Sequence, residues 1–478
     1  MKIAARLDRG KIDHNEPGDV HLMVSVDAPE VEEAKRKPMD VCLVIDVSTS
    51  MTEAAAPRPD SPDKLALAKA AAARFIENLT AQDRVGLVAY SDGVIVLAPV
   101  ADLTTVHRRM LAEQIAGLHV IGGTNLVEGT LRGLGCMADL QRKFLAGTTT
   151  VEEDRVRRVI LLTDGLPTTG ITQHAAVLGA IQARLDRRTP ITTIGFGASA
   201  GAGQGCYDPE LLTAIARTSG GNPYHAEGMD GLLEAFALEL GSLRSVAAAD
   251  VRVTITPGSD ITVAKCYNDL PTSVKDGATV IDLGSLYGGE TQHVVVKLQI
   301  PKRDKAFPRD TLAAKVVVSG VGTAGGAFQN EQRAEFRYVE ASEADTKPDA
   351  VVEEQRLRLK AARAVKRAYE EARAGNHQQA AARIRVVRMQ LMQFGSHESQ
   401  VLVVALQAIE VDIADPSRFA QRAGEIHAAS SGMGARRTTS FGPGSYLKDE
   451  HTTPGQRRSV SDMDAGGAKP PSSTPSST

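Results

Sequence analysis

The sequence predicts an α/β fold in which a doubly wound, mostly parallel sheet is inserted in an antiparallel β-sandwich. A small helical region and a disordered tail follow. Three observations lead to this fold class. Near-continuous apolar strands alternate with helical stretches in the first half of the chain, as in parallel sheets covered on both faces. Flanking segments alternate apolar and polar residues with a period of two, as in sandwiches. The last third returns to helical spacing before ending in a polar segment.

The composition of the 478-residue chain is that of a globular protein with several domains, since one core rarely extends over this length. A formal net charge of −3 gives no reason to expect nucleic acid or an anionic membrane as partner. No apolar run approaches the ~20 residues of a membrane-spanning helix, and the first residues lack the apolar core of a signal peptide. The four cysteines are far apart and form no CxxC pair. Such thiols are typical of a reducing compartment, so we expect a cytoplasmic protein.

Residues 39–245 are predicted to form the α/β domain. Its strands are the apolar segments "VCLVID", "RVGLVAYSD", "GVIVLAPV", "RVILLTD", "ITTIGFG" and "NPYHA". Amphipathic stretches such as "KLALAKAAAARFIENL" and "DPELLTAIARTSG" separate them and are predicted to be helices. The alternation predicts that the carboxyl ends of the parallel strands meet at one edge of the sheet.

The β-sandwich is predicted to be discontinuous in sequence. Residues 1–38 carry a strand, "DVHLMVSVDA", which cannot form a stable sheet alone. Residues 246–340 carry at least six further segments with two-residue alternation, such as "DVRVTITP" and "TQHVVVKLQI". We therefore expect residues 1–38 to pair with residues 246–340, on either side of the inserted domain.

The C-terminal part divides into a helical region at 350–431 and a tail at 432–478. Apolar residues at helical spacing mark the helical region, which also carries ten Arg or Lys residues between 353 and 388. The tail is rich in Gly, Ser, Thr and Pro and ends "GGAKPPSSTPSST". Because this composition buries too little apolar surface to offset its ordering entropy, we predict a disordered tail.

Oxygen-bearing side chains lie in three segments that are predicted to meet at the same sheet edge, two after strands and one just before a helix. "DVSTSM" after the first strand contains Asp46, Ser48 and Ser50, "GGTNL" contains Thr124, and "LLTDG" contains Asp164. Taken singly, Asp46 is more simply a turn or helix-cap residue, and the serines are loop hydroxyls. Together, the five are predicted to converge, with two carboxylates and three hydroxyls.

This donor set favours a hard divalent cation. Mg²⁺ prefers six oxygen ligands in a near-octahedral shell, and the five side chains leave one position for an outside oxygen. The set contains no histidine or thiolate, which argues against zinc. With at most two negative charges around the metal, an acidic group is the natural ligand for the remaining position.

The pattern resembles the metal-ion-dependent adhesion site of a von Willebrand factor type A (VWA) domain. D-x-S-x-S at 46–50, the threonine after "GG" and "TDG" at 163–165 carry the resemblance, which extends over about 200 residues. It implies a Rossmann-like sheet that binds Mg²⁺ or Mn²⁺ and recognises protein ligands, often through their carboxylates. The flanking segments are similar to those of bacterial and plant VWA proteins. Some plant members add a RING zinc domain, which four scattered cysteines cannot build.

We therefore predict a non-enzymatic, metal-dependent protein-interaction module that binds an acidic residue of a partner. Two alternatives remain open. One is a metal-assisted hydrolase, which would require a general base beside the metal. The other is a scaffold or regulatory protein that uses its basic helical region, although such a charge run is more often a solvated helix face.

Overall fold

The structure is a computed structural model of the chain. It describes residues 1–31, 36–54, 62–145, 155–186, 188–197, 207–226, 228–322, 326–435, 440–441, 456–457 and 459–460. The described elements form two antiparallel sheets, one mostly parallel sheet and a C-terminal group of helices.

The mostly parallel sheet has seven strands, and its order is β17-β9-β8-β7-β4-β5-β6. These strands are β4 (Met39–Asp46), β5 (Arg84–Tyr90), β6 (Val94–Asp102), β7 (Val156–Thr163), β8 (Ile191–Phe196), β9 (Pro223–Ala226) and β17 (Ser440–Phe441). Only β6 runs antiparallel to its neighbour, β5. The helices between them are α1 (Lys64–Glu77), α2 (Thr105–Ala116), α3 (Leu126–Leu145), α4 (His174–Gln182), α5 (Pro209–Ser219) and α6 (Gly228–Arg244).

Helices cover both faces of this sheet, and β4 shows why its sequence is apolar without interruption. Every residue of β4 is buried. Val41, Leu43 and Ile45 pack with α1, α2 and α6 on one face, while Cys42 and Val44 pack with α3, α4 and α5 on the other. The alternation of faces along a strand therefore demands apolar residues at every position. The prediction of a doubly wound sheet is confirmed.

The sandwich consists of two antiparallel sheets that enclose one core. The first has the order β1-β3-β14-β11 and the second the order β12-β13-β10-β15-β16-β2. Their strands are β1 (Lys2–Leu7), β2 (Lys11–Asp13), β3 (Gly18–Asp27), β10 (Val246–Pro257), β11 (Thr262–Cys266), β12 (Thr272–Lys275), β13 (Ala278–Tyr287), β14 (Thr291–Ile300), β15 (Phe307–Gly322) and β16 (Ala327–Val339).

Strands from the beginning of the chain pair with strands that follow the α/β domain. β3 lies between β1 and β14, and its register with β14 extends from Gly18 opposite Ile300 to Asp27 opposite Thr291. β2 pairs with β16 in parallel. The inserted arrangement predicted from the sequence is thus confirmed, while the individual domain boundaries stay predictions. The short strands β1, β2 and β12 were not predicted.

The helical region contains four helices that pack around one apolar cluster. They are α7 (Ala350–Arg373), α8 (His377–Leu391), α9 (His397–Ala414) and α10 (Pro416–Ala435). α10 was not predicted. α10 continues to Ala435, past the predicted beginning of the tail at residue 432, and β17 joins the sheet beside β9. Disorder of the tail stays a prediction. The remaining tail residues, except 456–457 and 459–460, lie outside the described part of the chain.

Two histidines are buried where the sheet edge meets α10. His225 of β9 stacks on Tyr207, and its ring centroid lies 6.2 Å from that of His427. Neither ring nitrogen of His225 has a hydrogen-bond partner. Burial lowers the pKa of His225 to about 4, and burial together with neighbouring cations lowers that of His427 well below its ordinary value. Both rings are therefore neutral packing groups at pH 7.

Acid is expected to destabilise the protein through these histidines. Because the folded-state pKa of His225 lies below the unfolded value of 6.5, the unfolded chain binds more protons between these pH values. Lowering the pH from 7 to 4 should cost about 3 kcal/mol of unfolding free energy at His225 alone. Chemical denaturation across this range should show a smaller loss in His225→Phe. The exposed His119→Gln serves as the control and should follow wild type. Equal losses in all three proteins would contradict this account.

Candidate metal centre

The predicted donors lie at the carboxyl edge of the parallel sheet. β4 ends at Asp46 and the adjacent strand β7 ends at Thr163, one residue before Asp164. The two strands run parallel, with Ile45 opposite Leu162, so their ends meet side by side. The other three donors lie in segments that lead from this edge into helical turns.

Hydrogen bonds connect the first strand end to the segment that follows it. Asp46 Oδ1 accepts from the backbone N–H of Ser48 at 2.9 Å, which turns the chain sharply out of β4. Asp46 Oδ2 accepts from Thr163 Oγ1 at 2.7 Å and from the Tyr90 hydroxyl at 3.2 Å. A 3₁₀ helix, Thr49–Thr52, then brings Ser50 back toward the sheet. Asp46 is therefore fixed by three donors from separate elements.

The hydroxyls of Ser48 and Ser50 connect the segment after Asp46 to the carboxylate of Asp164. Ser48 Oγ and Ser50 Oγ are 3.1 Å apart, and Ser50 Oγ donates to Asp164 Oδ1 at 2.7 Å. A Cβ placed on Gly165 would lie 3.3 Å from Ser50 Oγ and 3.5 Å from Thr124 Oγ1. The Ser50 and Thr124 hydroxyls therefore lie close to the same backbone position, where glycine places no side chain.

Hydrogen bonds at Gly122 and at Thr124 hold the loop that carries Thr124. The backbone N–H of Thr49 and its hydroxyl both donate to the Gly122 carbonyl, at 2.9 and 2.7 Å. The N–H of Thr124 donates to Thr168 Oγ1 at 2.8 Å. Gly122 has a φ of +64° and approaches Asp92 so closely that a side chain there would overlap it. The two glycines of "GGT" therefore allow the loop to pass close to the Asp92 side chain.

Two residues absent from the predicted set, Lys64 and Glu53, complete the centre. Lys64 Nζ lies 2.8 Å from Asp164 Oδ2 and 2.7 Å from Glu53 Oε2. Burial alone would lower the pKa of Lys64, but the two carboxylates outweigh it and raise that pKa. Lys64 is therefore a charged ammonium at the edge of the site.

The two aspartates are buried and carry raised pKa values. Burial, followed by the charge of Asp164, raises the pKa of Asp46 to about 6. Burial raises the pKa of Asp164 as well, although Lys64 and Ser50 act against the shift. Both carboxylates are fully enclosed. Two buried negative charges that repel each other favour a cation between or beside them.

The residues present fit a hard divalent cation. The donor set consists of oxygen atoms only, and Asp46, Ser48, Thr124 and Asp164 are buried. Within the described ranges, no three His, Cys, Asp or Glu side chains are grouped so that they could hold a metal. A cation here would therefore depend on hydroxyl ligands as well as carboxylates. That combination suits Mg²⁺ or Mn²⁺ better than zinc.

Sequence reasoning missed Lys64, Glu53, Tyr90 and Thr163. Thr163 could have been included, because it precedes Asp164 at the end of the same strand. Lys64 was recognised only as the start of a helix. The direction of its side chain depends on how α1 packs on the sheet, and linear spacing does not contain that information.

The basic residues of α7 and α8 contact partners within the chain. Seven of them form ion pairs: Arg356 with Glu353, Arg358 with Glu398, Lys366 with Asp269, Arg373 with Glu210, Arg383 with Glu371, and Arg385 and Arg388 with Glu410. Lys366 and Arg373 connect the helical region to the sandwich and to α5. The other five pairs lie within the helical region itself.

Comparison with known proteins assigns the central domain. Residues 41–166 match the sequence profile of the von Willebrand factor type A domain. The chain is 26% identical over 281 residues to the E3 ubiquitin-protein ligase WAV3 of Arabidopsis thaliana, which covers 57% of this chain and 32% of the ligase. It is 30% identical over 209 residues to a UPF0353 protein of Mycolicibacterium paratuberculosis, covering 41% of this chain and 58% of that protein. The chain thus spans less than two thirds of either relative.

Solved structures share the fold over most of the chain. A von Willebrand factor type A protein from Catenulispora acidiphila superposes with a TM-score of 0.66 at 19% identity, covering 88% of this chain and 96% of that one. The ArnB paralog VWA2 from Sulfolobus acidocaldarius gives a TM-score of 0.56 at 14% identity, covering 90% and 98%. Among the described helices, none is long and apolar enough to cross a membrane. Residues 41–166 of this chain are thus similar to the von Willebrand factor type A domain.

Proposed function

We propose that this protein is a metal-dependent protein-interaction module in which Mg²⁺ or Mn²⁺ binds a carboxylate of a partner protein. VWA domains commonly mediate interactions between proteins. The observation that carries the proposal is the meeting of five oxygen-bearing side chains at one edge of the sheet. Asp46, Ser48, Ser50, Thr124 and Asp164 would hold the metal.

Each donor has a distinct part in this proposal. The two aspartates would neutralise the dication, and the three hydroxyls would complete its shell without adding charge. When bound, the metal supplies a positively charged position for an outside oxygen. A partner Asp or Glu suits that position, because it replaces water and adds a charge-assisted interaction. The internal bonds from Asp46 to Thr163 and Tyr90 would keep the site in place before binding.

A hydrolase would need a general base beside the metal. Glu53 is the carboxylate closest in position to such a role, since it shares Lys64 with Asp164. Its carboxylate is already ion-paired with the ammonium, which favours a structural role. WAV3 is named as an E3 ubiquitin-protein ligase, but the shared part is a third of that protein. We therefore propose a non-enzymatic role for this chain.

The scaffold alternative depends on the basic helical region. Because most of these cations already contact acidic side chains of the chain, they offer little net charge to nucleic acid or to an acidic partner. We place recognition at the metal centre instead. The free thiols of Cys42, Cys136 and Cys266 remain the reason for proposing a cytoplasmic location.

Partner capture is expected to require both the metal and its ligands. Immobilised full-length protein should retain partners from a lysate of its source in Mg²⁺ and release them in EDTA. Asp46→Ala and Thr124→Ala should capture none, since each removes an enclosed ligand. Ca²⁺ should support less binding than Mg²⁺, because its larger shell fits five small donors poorly.

Thr104→Ala serves as the matched control. Its hydroxyl caps α2 by accepting from the His107 N–H and does not contact the metal centre. This variant should capture partners as wild type does. Equal retention of the same partners with and without metal would overturn the proposal and would indicate a binding surface elsewhere.

A further inference from the structure

Lys64 is the one cation among the side chains named at the metal centre, and its side chain is only 5% exposed. Its Nζ lies between Asp164 and Glu53, at 2.8 and 2.7 Å. The Lys64 side chain also passes close to the end of β8, where a Cβ on Gly197 would lie 3.2 Å from Lys64 Cε. The Lys64 side chain thus lies beside the C-terminal ends of β7 and β8.

The backbone fixes this position independently of the ion pairs. Asp63 caps α1 by accepting from the Ala66 N–H, and the Lys64 N–H donates to the Glu53 carbonyl. A bridge between Ala54 and Asp63 closes the same loop. Lys64 is therefore held at the first helical position, on the side that faces Asp164.

A lysine at this place opposes two general preferences. Helix N-termini favour negative side chains, because the helix dipole is positive there. Lysines are almost never fully buried unless they are paired. The ion pairs with Asp164 and Glu53 offset the free-energy costs of placing a cation at the helix N-terminus and of burying it. Asp46, Asp164 and Glu53 bring three carboxyl groups to the centre, and Lys64 contacts two of them, those of Asp164 and Glu53.

We propose that Lys64 is a built-in counter-cation that sets the affinity of the metal centre. This inference rests on the proposed function. In the metal-free protein the ammonium stabilises the buried carboxylate of Asp164. The same fixed positive charge repels an incoming dication, so the centre binds metal less tightly than its donors alone would allow. Lys64 is a positioning residue and does not ligate the metal.

Lys64→Met tests the inference, since methionine keeps much of the side-chain length but removes the charge. In EDTA, its melting temperature should fall below that of wild type. By titration calorimetry with Mg²⁺ or Mn²⁺ alone, its Kd should be at least tenfold lower than wild type. Lys64→Arg, which keeps the charge, should bind metal within about threefold of wild type. Lys69→Met is the matched control on the same helix, because the Lys69 ammonium donates to the Ala116 carbonyl and not to a carboxylate of the centre.

The direction of the change in Kd distinguishes this role from a purely structural one. If Lys64 only supported the fold, its removal would disorder Asp164 and weaken metal binding. An equal or higher Kd in Lys64→Met than in wild type overturns the inference and leaves the proposed function standing. No metal binding by wild type, Lys69→Met or Lys64→Met overturns both.

A second variant decides the question if Lys64→Met does not fold. The Glu53 side chain is 41% exposed, so Glu53→Gln should be tolerated. It leaves Lys64 compensated by Asp164 alone and makes the centre more positive. The Kd for Mg²⁺ should then rise at least threefold, and an unchanged Kd overturns the inference.

Discussion

A chain without residues 1–31 is expected to lose the folded sandwich while keeping the VWA domain. The deletion removes β3, which lies between β1 and β14 in its sheet. Val20, Leu22, Val24 and Val26 are fully buried there. Burial of four such side chains contributes roughly 6–12 kcal/mol, comparable to the whole stability of a typical domain. Limited proteolysis should therefore cut within residues 246–339.

The VWA domain should survive because its apolar clusters are separate. Both clusters on the faces of the parallel sheet are formed by buried residues between 39 and 243. A synthetic peptide of residues 1–31 added to the truncated chain should restore protection by pairing with β14, whereas a scrambled peptide should not. Unchanged protease resistance of residues 246–339 in the truncated chain would refute the discontinuous sandwich.

Glu239→Ala is expected to destabilise the VWA domain by about 3–5 kcal/mol, because it leaves a buried cation uncompensated. Glu239 of α6 and Arg158 of β7 are almost fully enclosed, with Nε and Oε1 3.0 Å apart. The Arg158 Nε–H makes no hydrogen bond, so charge alone holds this contact. Glu239 also accepts from Thr192, Asn222 and Tyr224 at 2.7 to 3.0 Å.

The double variant Arg158→Met/Glu239→Gln separates the charge from the hydrogen bonds. The amide oxygen of glutamine can accept from Asn222 and Tyr224 while its NH2 group donates to the Thr192 hydroxyl, and methionine removes the cation that would otherwise be unpaired. Urea denaturation should show this double variant to be more stable than either Arg158→Met or Glu239→Gln alone. Asp230→Ala, an exposed change on the same helix, is the control. A loss below about 1 kcal/mol in Glu239→Ala would contradict this account.

Strands and helices could be predicted from the sequence where the burial of their side chains follows one regular pattern along the element. β4 is buried on both faces and β3 mainly on one, so continuous and alternating patterns identified them. α2 was missed because only Leu111 and Ile115 are buried in it. α10 was missed because its segment is rich in small and polar residues. β17 has two residues and depends on pairing with β9, which no local pattern indicates.

The positions of the two aspartates could be predicted because both sit at strand ends, whereas metal binding there stays a prediction. Asp46 and Asp164 follow apolar strands, so topology alone brings them to one edge. Lys64 reaches the same place from a helix, and the charge pair of Arg158 and Glu239 depends on how α6 packs. Such contacts follow from tertiary geometry, which spacing in one sequence does not reveal.

The divided sandwich also determines the order in which the protein can fold during synthesis. Asp27 of β3 lies opposite Thr291 of β14, 264 positions later in the chain. At about 5–20 residues per second, the ribosome needs roughly 13–53 seconds to make that partner. During this interval β3 presents an apolar, unpaired edge while the VWA domain is being completed. Until then β3 can pair only with β1, so the sandwich is completed after the VWA domain that separates its two parts.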